Sequence, residues 1–299
     1  MNKHFLTIIA AVCIQFLALG CFTENRPAEN VKKDFPDSLL AAKRDSLIKL
    51  ESRVTYGLFA FSKKNTTAKL LKKIGKDNLD NILAINRIDK LKRDTLVVPD
   101  SIYADFNMYA PFPLFIDRIK EVKKIIFVSQ RIQAFAAYEY GSLVFWGPVS
   151  TGKKTTPTPN GLFHTNWKAK KQISTDDPTW ILYWNFNIIN NKGVSLHQFE
   201  LPGYPASHSC VRLLERSANR IYNWADQWVL TADGNSIKYY GTPVILFGEY
   251  KTPKIWRFLA RDKEVALVGI NEIDQQLDEY LNTILQRQKA REINGVTAK

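Results

Sequence analysis

Two histidines and one cysteine around residue 200 supply the residue types that thiol chemistry needs. His208 lies two residues before Cys210 in the segment Ser207-His208-Ser209-Cys210-Val211-Arg212, and His197 lies thirteen residues before the same cysteine. An imidazole can take the proton of a thiol, so that the thiolate attacks a carbonyl carbon. The cysteine could equally be a buried thiol or a metal ligand, and the rest of the sequence has to decide.

Three other interpretations of these residues are less favoured. Zinc binding by His197, His208 and Cys210 lacks a second Cys/His pair and a standard ligand spacing. A purely structural role fits poorly with their polar neighbours. A serine hydrolase is disfavoured because no Gly-x-Ser-x-Gly segment is present. We expect no metal ion at these residues, and we expect His164 to be a surface or packing residue.

The N-terminus predicts export from the cytoplasm. A short basic start is followed by the apolar run Leu6–Gly20, which is too short for a comfortable transmembrane helix. The run ends in Leu-Ala-Leu-Gly-Cys, which resembles a bacterial lipobox and implies lipidation at Cys21. An ordinary secretory signal and an uncleaved anchor are the alternatives. We therefore expect a lipid-anchored protein on the periplasmic side of the cell envelope, with the outer membrane as the preferred location.

The cysteine count points to Cys210 as a reactive group. Cys13 lies inside the predicted signal, and Cys21 would carry the lipid. Cys210 is then the single thiol of the mature chain, so it has no intramolecular disulfide partner. An unpaired cysteine in an exported protein indicates a reactive thiol.

Composition excludes few functions. The chain has 299 residues, of which 45% are hydrophobic and 24% charged, which is typical of a globular protein. The formal net charge of +13 suits an anionic partner or a merely basic surface. No nucleic-acid motif is present, and we expect no nucleic-acid partner.

Periodicity predicts strands before Cys210 and a helix after it. Apolar stretches on both sides of Tyr140-Gly141-Ser142 indicate a hairpin. After the cysteine, Leu214, Ala218 and Ile221 recur at helical spacing. We expect this helix to begin directly after Cys210, where its N–H groups and positive dipole, together with a nearby imidazolium, would favour the thiolate and could form an oxyanion hole.

These blocks together resemble the L,D-transpeptidase (YkuD-type) catalytic domain. The family motif is a His, a gap of roughly a dozen residues, then Ser/Thr-His-Gly-Cys followed by one residue and Arg or Asn. The segments "VSTGKKTTPTPNGLF", "LYWNFNI", "GVSLHQ" and "GTPVILF" agree with the family in the same order. The resemblance covers about residues 122–247. It implies a mainly β fold, an antiparallel β sandwich with a helix after the catalytic cysteine.

The resemblance also implies an activity on peptidoglycan peptide stems. Cys210 would attack the peptide bond after the diamino acid of a tetrapeptide stem, expel D-Ala and pass the acyl group to a side-chain amine of another stem. The resemblance implies that this reaction needs no metal and no organic cofactor. Transfer to water (L,D-carboxypeptidase), transfer to a protein amine, and a non-catalytic peptidoglycan-binding lipoprotein are the alternatives.

Individual roles follow from the motif positions. The resemblance makes Cys210 the nucleophile and His197 the base, held by the backbone carbonyl of Gln198. His208 and Ser207 would shape the pocket, and Arg212 would meet a stem carboxylate. Ser209 stands where the family has Gly, so a positive φ there would strain the chain. Tyr183 and Trp184 are candidates for lining the cleft.

The remaining segments divide the chain into five regions. The predicted lipoprotein signal covers residues 1–21, and a tether with a short helix covers 22–60. Residues 61–121 form a small subdomain that is either generic and helical or similar to LysM, a peptidoglycan-binding module, with the resemblance carried by "ILAINRIDKLKRDTLVVP". The catalytic domain covers 122–248, and a C-terminal helical extension covers 249–299.

Overall fold

The computed structural model of the protein describes residues 54–293. The predicted signal at 1–21, the lipidation site Cys21 and the short helix expected within 22–60 lie outside the described residues. Within the described part, no helix combines the length and apolar character needed to cross a membrane.

The first described unit is a β-α-α-β arrangement. Strands β1 (Tyr56–Phe59) and β2 (Leu96–Pro99) pair antiparallel, and helices α1 (Thr67–Ile74) and α2 (Leu79–Ile85) connect them. Because β1 pairs with β2, the unit begins before residue 61, within the segment that the sequence analysis gave to the tether.

Asn86 explains how helix α2 ends and joins strand β2. Its side-chain amide donates to the carbonyl oxygens of Ile82 and Val97, each at 2.8 Å, and its oxygen accepts from the Val97 N–H at 2.8 Å. The buried Asn86 side chain therefore caps the end of helix α2. It also forms with β2 the two backbone hydrogen bonds that a neighbouring strand would otherwise provide.

The catalytic part is built on a nine-stranded mixed sheet. Its order is β6-β13-β3-β4-β5-β10-β9-β8-β7, and a separate ribbon pairs β11 with β12. The strands are β3 (Ile125–Ser129), β4 (Ala134–Glu139), β5 (Ser142–Ser150), β6 (Gly161–His164), β7 (Lys168–Ile173), β8 (Ile181–Ile189), β9 (Val194–Gln198), β10 (Val211–Leu213), β11 (Val229–Leu230), β12 (Ile237–Tyr239) and β13 (Pro243–Phe247).

The mainly β fold is confirmed, in the form of one long curled sheet. Most neighbouring strands are antiparallel, but β13 runs parallel to β3 and β10 runs parallel to β9. The hairpin between β4 and β5 turns at Tyr140 and Gly141, which both have positive φ, at 46° and 79°. Two consecutive positive φ angles are typical of a tight hairpin turn that matches the strand twist.

Two apolar cores cover the two faces of the sheet. One core contains the β-α-α-β unit and the C-terminal helices α4 (Lys263–Ala266) and α5 (Ile270–Ile293). The other contains helix α3 (Glu215–Trp224) and the inner faces of β8, β9 and β10. The C-terminal helix is thus packed against the sheet through Ile273, Leu277 and Ile284, which are almost fully buried.

Helix α3 starts later than the sequence predicted. Ala218 and Ile221 lie on its buried face, as their spacing indicated. The expectation that the helix begins directly after Cys210 is wrong, because strand β10 lies between them and the helix begins at Glu215. The chain first completes a parallel pair with β9, and this pairing governs the surroundings of the cysteine.

The β-α-α-β unit is attached close to the loop that carries the motif. Arg87 is fully buried between the rings of Trp146 and Trp256, at 5.5 and 5.7 Å, and its Nε donates to the Ile132 carbonyl at 3.0 Å. The Asp89 N–H donates to the carbonyl of Leu201, which lies between β9 and Cys210. The Arg87 contacts attach the unit to the sheet and to the segment after β13, and the Asp89 bond connects it to the segment that leads from His197 to the thiol.

Candidate active site

Parallel strands β9 and β10 bring the predicted nucleophile and base together. His197 on β9 is the register partner of Arg212 on β10, so both side chains point to the same face of the sheet. Cys210 immediately precedes β10, two residues before Arg212, which is the same face by the strand period. Its thiol lies 3.6 Å from the carbonyl oxygen of Gly193 and receives a backbone hydrogen bond from Ser195.

A cleft of about 300 Å³ opens over these residues. The cleft is lined by five residues that the motif predicted for the site, namely His197, Ser207, His208, Cys210 and Arg212. The complete lining is Ser174, Asp176, Trp180, Leu182, His197, Phe199, Ser207, His208, Cys210 and Arg212. The structure therefore collects a thiol, two imidazoles and a guanidinium in one cavity.

His197 is held as a neutral, oriented imidazole. It is 3% exposed, and its Nδ1 lies 3.0 Å from the Gln198 carbonyl oxygen. A carbonyl accepts only, so Nδ1 carries the proton and Nε2 keeps its lone pair. Burial lowers the pKa of His197 to about 4; the bond to Gln198 opposes this shift, and the charge of Arg212 adds to it. At neutral pH the imidazole can accept a proton.

The thiol of Cys210 is also neutral at rest. Burial raises its pKa above the usual value, and the hydrogen bond from Ser195 and the charge of Arg212 only partly oppose this. The sequence analysis expected a nearby imidazolium and a helix N-terminus to favour the thiolate. The structure differs because His197 is too buried to hold a charge and α3 begins beyond β10. The pair is suited to general-base activation, in which the proton moves when the thiol attacks.

The backbone around Ser209 has the geometry that the motif predicted. Ser209 has a φ of 78°, in the left-handed region that favours glycine. The Thr158 hydroxyl donates to the Ser209 carbonyl at 2.8 Å, and the Ser209 hydroxyl donates weakly to the Thr156 carbonyl at 3.4 Å. The Ser207 hydroxyl donates to the carbonyl of Cys210. These bonds hold the chain in the strained conformation on both sides of the nucleophile.

The loop after β5 forms the support for this segment. The N–H groups of Ala206 and Ser207 both donate to the Thr151 carbonyl at 3.0 Å, and the Lys153 N–H donates to the Ser207 carbonyl at 3.0 Å. A Cβ on Gly152 would lie 2.2 Å from the Thr156 carbonyl oxygen, so only glycine permits this close approach. The "STGK…TPTPNG" segment therefore supports the loop before Cys210 through backbone hydrogen bonds.

His208 contacts a different set of groups from His197. Its ring stacks on Trp180 with centroids 5.1 Å apart, and its Nε2 lies 2.7 Å from the ammonium nitrogen of Lys153. Its Nδ1 is buried and has no hydrogen-bond partner within residues 54–293. The two motif histidines thus have different surroundings, although both line the cleft.

Arg212 presents a cation to the cleft. Its guanidinium lies 4.5 Å from the centre of the Phe199 ring, and it forms no ion pair with any described residue. Half-burial lowers its pKa from the ordinary value, but an arginine stays protonated. A partly desolvated guanidinium stacked on an aromatic ring is suited to hold a carboxylate.

Tyr183 and Trp184 do not line the cleft. Strand β8 is irregular between Tyr183 and Phe186, and Trp184 has a φ of 53°. The Trp184 ring is consequently directed to Tyr222 of α3, with centroids 5.5 Å apart, while Tyr183 is exposed on the sheet. The aromatic lining comes instead from Trp180 and Phe199.

Sequence reasoning missed Trp180, Phe199 and Lys153 as parts of the site. Trp180 follows the turn after β7, and Phe199 follows β9, so neither belongs to the motif. Lys153 is the lysine of the "STGK" segment, which was the one available signal. Nothing in the sequence distinguishes the two aromatic residues from core residues.

No group of three or more His, Cys, Asp or Glu side chains within the described residues could hold a metal ion. The cleft on the curled β sheet contains a cysteine and two histidines. A cysteine with a nearby histidine is the kind of site that thiol acyl transfer uses.

Residues 123–246 match the model of the YkuD family, the L,D-transpeptidase catalytic domain. The matched segment is less than half of the chain and includes every residue that lines the cleft. This part of the protein is therefore similar to an L,D-transpeptidase catalytic domain. No curated protein matches the chain.

Solved structures of L,D-transpeptidases are distantly similar to the chain. An L,D-transpeptidase from Stackebrandtia nassauensis is 23% identical with a TM-score of 0.35, over 43% of this chain and 57% of that one. One from Mycobacterium smegmatis is 20% identical with a TM-score of 0.33, over 42% and 59%. One from Xylanimonas cellulosilytica is 24% identical with a TM-score of 0.39, over 56% and 78%. The chain spans less than two thirds of the length of the first two of these structures.

Proposed function

We propose that the protein is a cell-wall L,D-transpeptidase that cross-links peptidoglycan stems through an acyl-enzyme on Cys210. The observation that supports this best is the convergence of three groups in one cleft of a segment that matches the family model. They are a thiol, a neutral imidazole and a guanidinium that forms no ion pair within residues 54–293. Each group has one function in such a reaction: attack, proton transfer and recognition of a carboxylate.

The first half-reaction transfers the acyl group to the enzyme. The Cys210 proton moves to Nε2 of His197 as sulfur attacks the carbonyl carbon of the bond between the diamino acid and terminal D-Ala. An S–C bond forms and the C–N bond breaks. His197 then gives its proton to the departing amine, and a thioester remains on Cys210.

The second half-reaction passes the acyl group to an amine. A side-chain amine of another stem attacks the thioester while His197 accepts one of its protons. A C–N bond forms, the C–S bond breaks, and the proton returns to sulfur. His197 needs an acceptor nitrogen at each start of this cycle, which its bond to the Gln198 carbonyl maintains.

Backbone groups of the motif loop would stabilise the oxyanion. The φ of 78° at Ser209 turns the peptide before Cys210, so we assign the oxyanion contact to the N–H groups of this loop. Ser207 and Ser209 would support the loop through their hydrogen bonds. Arg212 would bind the carboxylate of the stem peptide. Tyr183 and Trp184 have no place in this proposal because their side chains lie away from the cleft.

We propose a location in the cell envelope. Cys21 would carry the lipid, and the protein would face the periplasm, with the outer membrane as the preferred anchor. The β-α-α-β unit would add a peptidoglycan contact of LysM type. Intact mass spectrometry of the native N-terminus is the test of lipidation: an acylated Cys21 is expected, and a mature start at another residue would contradict it.

The reaction is tested by incubating the protein with a purified disaccharide-tetrapeptide. Cross-linked dimers that lack one D-Ala are the expected product. Trimmed tripeptides without dimers would indicate an L,D-carboxypeptidase. A conjugate of the tripeptide stem with an added protein amine, formed without dimers, would indicate a protein transferase. Binding without any covalent change would contradict the proposal and favour the non-catalytic peptidoglycan-binding lipoprotein.

A further inference from the structure

We propose that Lys153 is a positioning residue that holds His208 in the Nδ1-protonated form and so restricts the role of base to His197. The kinetic part of this inference rests on the proposed function, whereas the protonation pattern of His208 does not. Two histidines line the same cleft as Cys210, so something must determine which of them takes the thiol proton.

The first step of the argument is the hydrogen bond between Lys153 and His208. The Lys153 ammonium nitrogen lies 2.7 Å from Nε2 of His208. An ammonium group has three donors and no acceptor. Nε2 must therefore accept, and the proton of a neutral His208 ring resides on Nδ1.

The second step concerns what else could determine the protonation of the ring. The tautomer of a histidine is usually set by the bond that its second nitrogen makes. In His197 this bond is the one from Nδ1 to the Gln198 carbonyl. In His208, Nδ1 is buried and has no hydrogen-bond partner within residues 54–293. Lys153 is consequently the group in the described structure that selects the tautomer.

The third step is the consequence for catalysis. The lone pair on Nε2 of His208 is engaged by a cation, and its Nδ1 already carries a proton, so neither nitrogen can accept the Cys210 proton. His197 has the opposite arrangement, with an anchored Nδ1 and a free acceptor at Nε2. Stacking on Trp180, with centroids 5.1 Å apart, keeps the His208 ring in place while it serves as part of the cleft wall.

The backbone geometry of the loop places Lys153, and not its neighbour Lys154, next to His208. The Lys153 N–H is bonded to the Ser207 carbonyl at 3.0 Å, so the backbone at Lys153 is joined to the residue that precedes His208. Its neighbour Lys154 is exposed and has no contact of this kind with the described chain. Lys154 therefore provides a matched control with the same charge, one residue away.

The tautomer can be measured without substrate. The full chain is labelled with ¹⁵N-histidine, and long-range ¹H–¹⁵N spectra are recorded at pH 8, where an ordinary histidine is neutral. The His208 signals are identified by their loss in His208→Gln. The parent protein should show Nδ1 protonated and Nε2 unprotonated for His208, and the same pattern for His197.

The variants decide whether Lys153 is the cause. Lys153→Met should move the His208 proton to Nε2, and Lys154→Met and the His197 signals should show no change. Lys153→Arg, which keeps a donor cation, should retain the parent pattern even if the methionine variant folds poorly. An Nε2-protonated His208 in the parent, or an unchanged pattern in a folded Lys153→Met protein, would overturn the inference.

A kinetic readout separates positioning from simple support. In a His197→Gln background, adding Lys153→Met should raise the rate of Cys210 alkylation several-fold at pH 8. The reason is that the His208 proton moves to Nε2, so that Nδ1 of His208 becomes able to accept a proton. A further fall in that rate would contradict the assigned role. Because alkylation and tautomer need no peptidoglycan, these results stand apart from the success or failure of the proposed transpeptidation.

Discussion

Two clefts in the described part of the molecule contain a buried histidine and an arginine, and only one of them is lined by a cysteine. In the candidate active site, burial and Arg212 lower the pKa of His197 to about 4. In a second cleft of about 560 Å³ between helix α5 and the sheet, burial and Arg287 lower the pKa of His164 to about 3. Both imidazoles are neutral, so a lowered histidine pKa does not by itself identify a catalytic site.

The surroundings of the two rings explain the difference. Nδ1 of His197 faces a carbonyl, which leaves the lone pair of Nε2 available in the cleft that the thiol of Cys210 also lines. Both nitrogens of His164 lie 3.4–3.5 Å from the same Arg287 nitrogen, and the His164 ring packs on Tyr240. No cysteine lines this second cleft. His164 therefore packs against the C-terminal helix, whereas His197 is arranged to exchange a proton.

The largest expected effect comes from removing the thiol. Cys210→Ala should abolish product formation from the tetrapeptide, because Cys210 supplies the only thiol among the described residues that line the cleft. The melting temperature should stay within a few degrees of the parent value, since the side chain is small. Product analysis and thermal unfolding measure both quantities, and retained turnover would exclude the thiol mechanism.

Replacing each of the two buried histidines by glutamine, in separate variants, tests the comparison directly. His197→Gln should lower kcat/KM by roughly 10²–10⁴-fold, as expected for loss of a general base. His164→Gln should leave kcat/KM within about twofold and affect stability only. Initial rates and chemical unfolding of both variants provide the data. An equal loss of activity in a well-folded His164→Gln protein would show that the two clefts are coupled.

The pH dependence of thiol reactivity sharpens the same point. The Cys210 pKa is raised by burial and the His197 pKa is about 4, so the neutral pair is the resting state at pH 7. Alkylation should therefore rise steadily towards alkaline pH, since the thiolate fraction grows only as the pH approaches the raised pKa. Iodoacetamide rates between pH 5 and 10 measure this, and a plateau below pH 7 would reveal a thiolate–imidazolium pair.

The smallest expected effect concerns Ser209. Its φ of 78° costs an L-residue about 1 kcal/mol, which Ser209→Gly would remove. The gain is partly offset by the greater freedom of glycine in the unfolded chain and by loss of the 3.4 Å bond to Thr156. We expect a free energy of unfolding unchanged or raised by up to about 1 kcal/mol, with activity preserved or increased.

Gly234 supplies the matched control for that substitution. It also has a positive φ, at 72°, and a Cβ there would meet nothing within 4 Å. Gly234→Ala thus measures the net cost of a side chain at such an angle, with the same contribution from the freedom of glycine in the unfolded chain, and it should destabilise the protein by about 1 kcal/mol. A loss of both stability and turnover in Ser209→Gly would contradict the strain interpretation.

Much of this geometry could be predicted because local sequence determines it. The hairpin at Tyr140-Gly141 and the apolar strands follow from turn chemistry and periodicity. The positive φ at Ser209 could be anticipated from the glycine of the motif. In each instance a short segment contains the whole physical cause.

Other features depend on contacts between distant segments and could not be read from the sequence. The start of α3 is delayed because β10 pairs with β9, which is a tertiary effect. Trp184 points away from the cleft because β8 is irregular. The stacking of Trp180 on His208 and the bond from Lys153 join segments that lie 28 and 55 residues apart in sequence. The neutral resting state likewise depends on burial, which spacing does not reveal.

The central claim is that Cys210 carries the acyl group, and mass spectrometry of the enzyme during turnover tests it most directly. The protein is mixed with excess disaccharide-tetrapeptide, quenched in acid within milliseconds, digested and mapped. We predict an adduct on the peptide that contains Cys210, with the mass of the substrate minus D-Ala, and no adduct in Cys210→Ala. Turnover without an adduct, or an adduct on any other residue, would contradict the account.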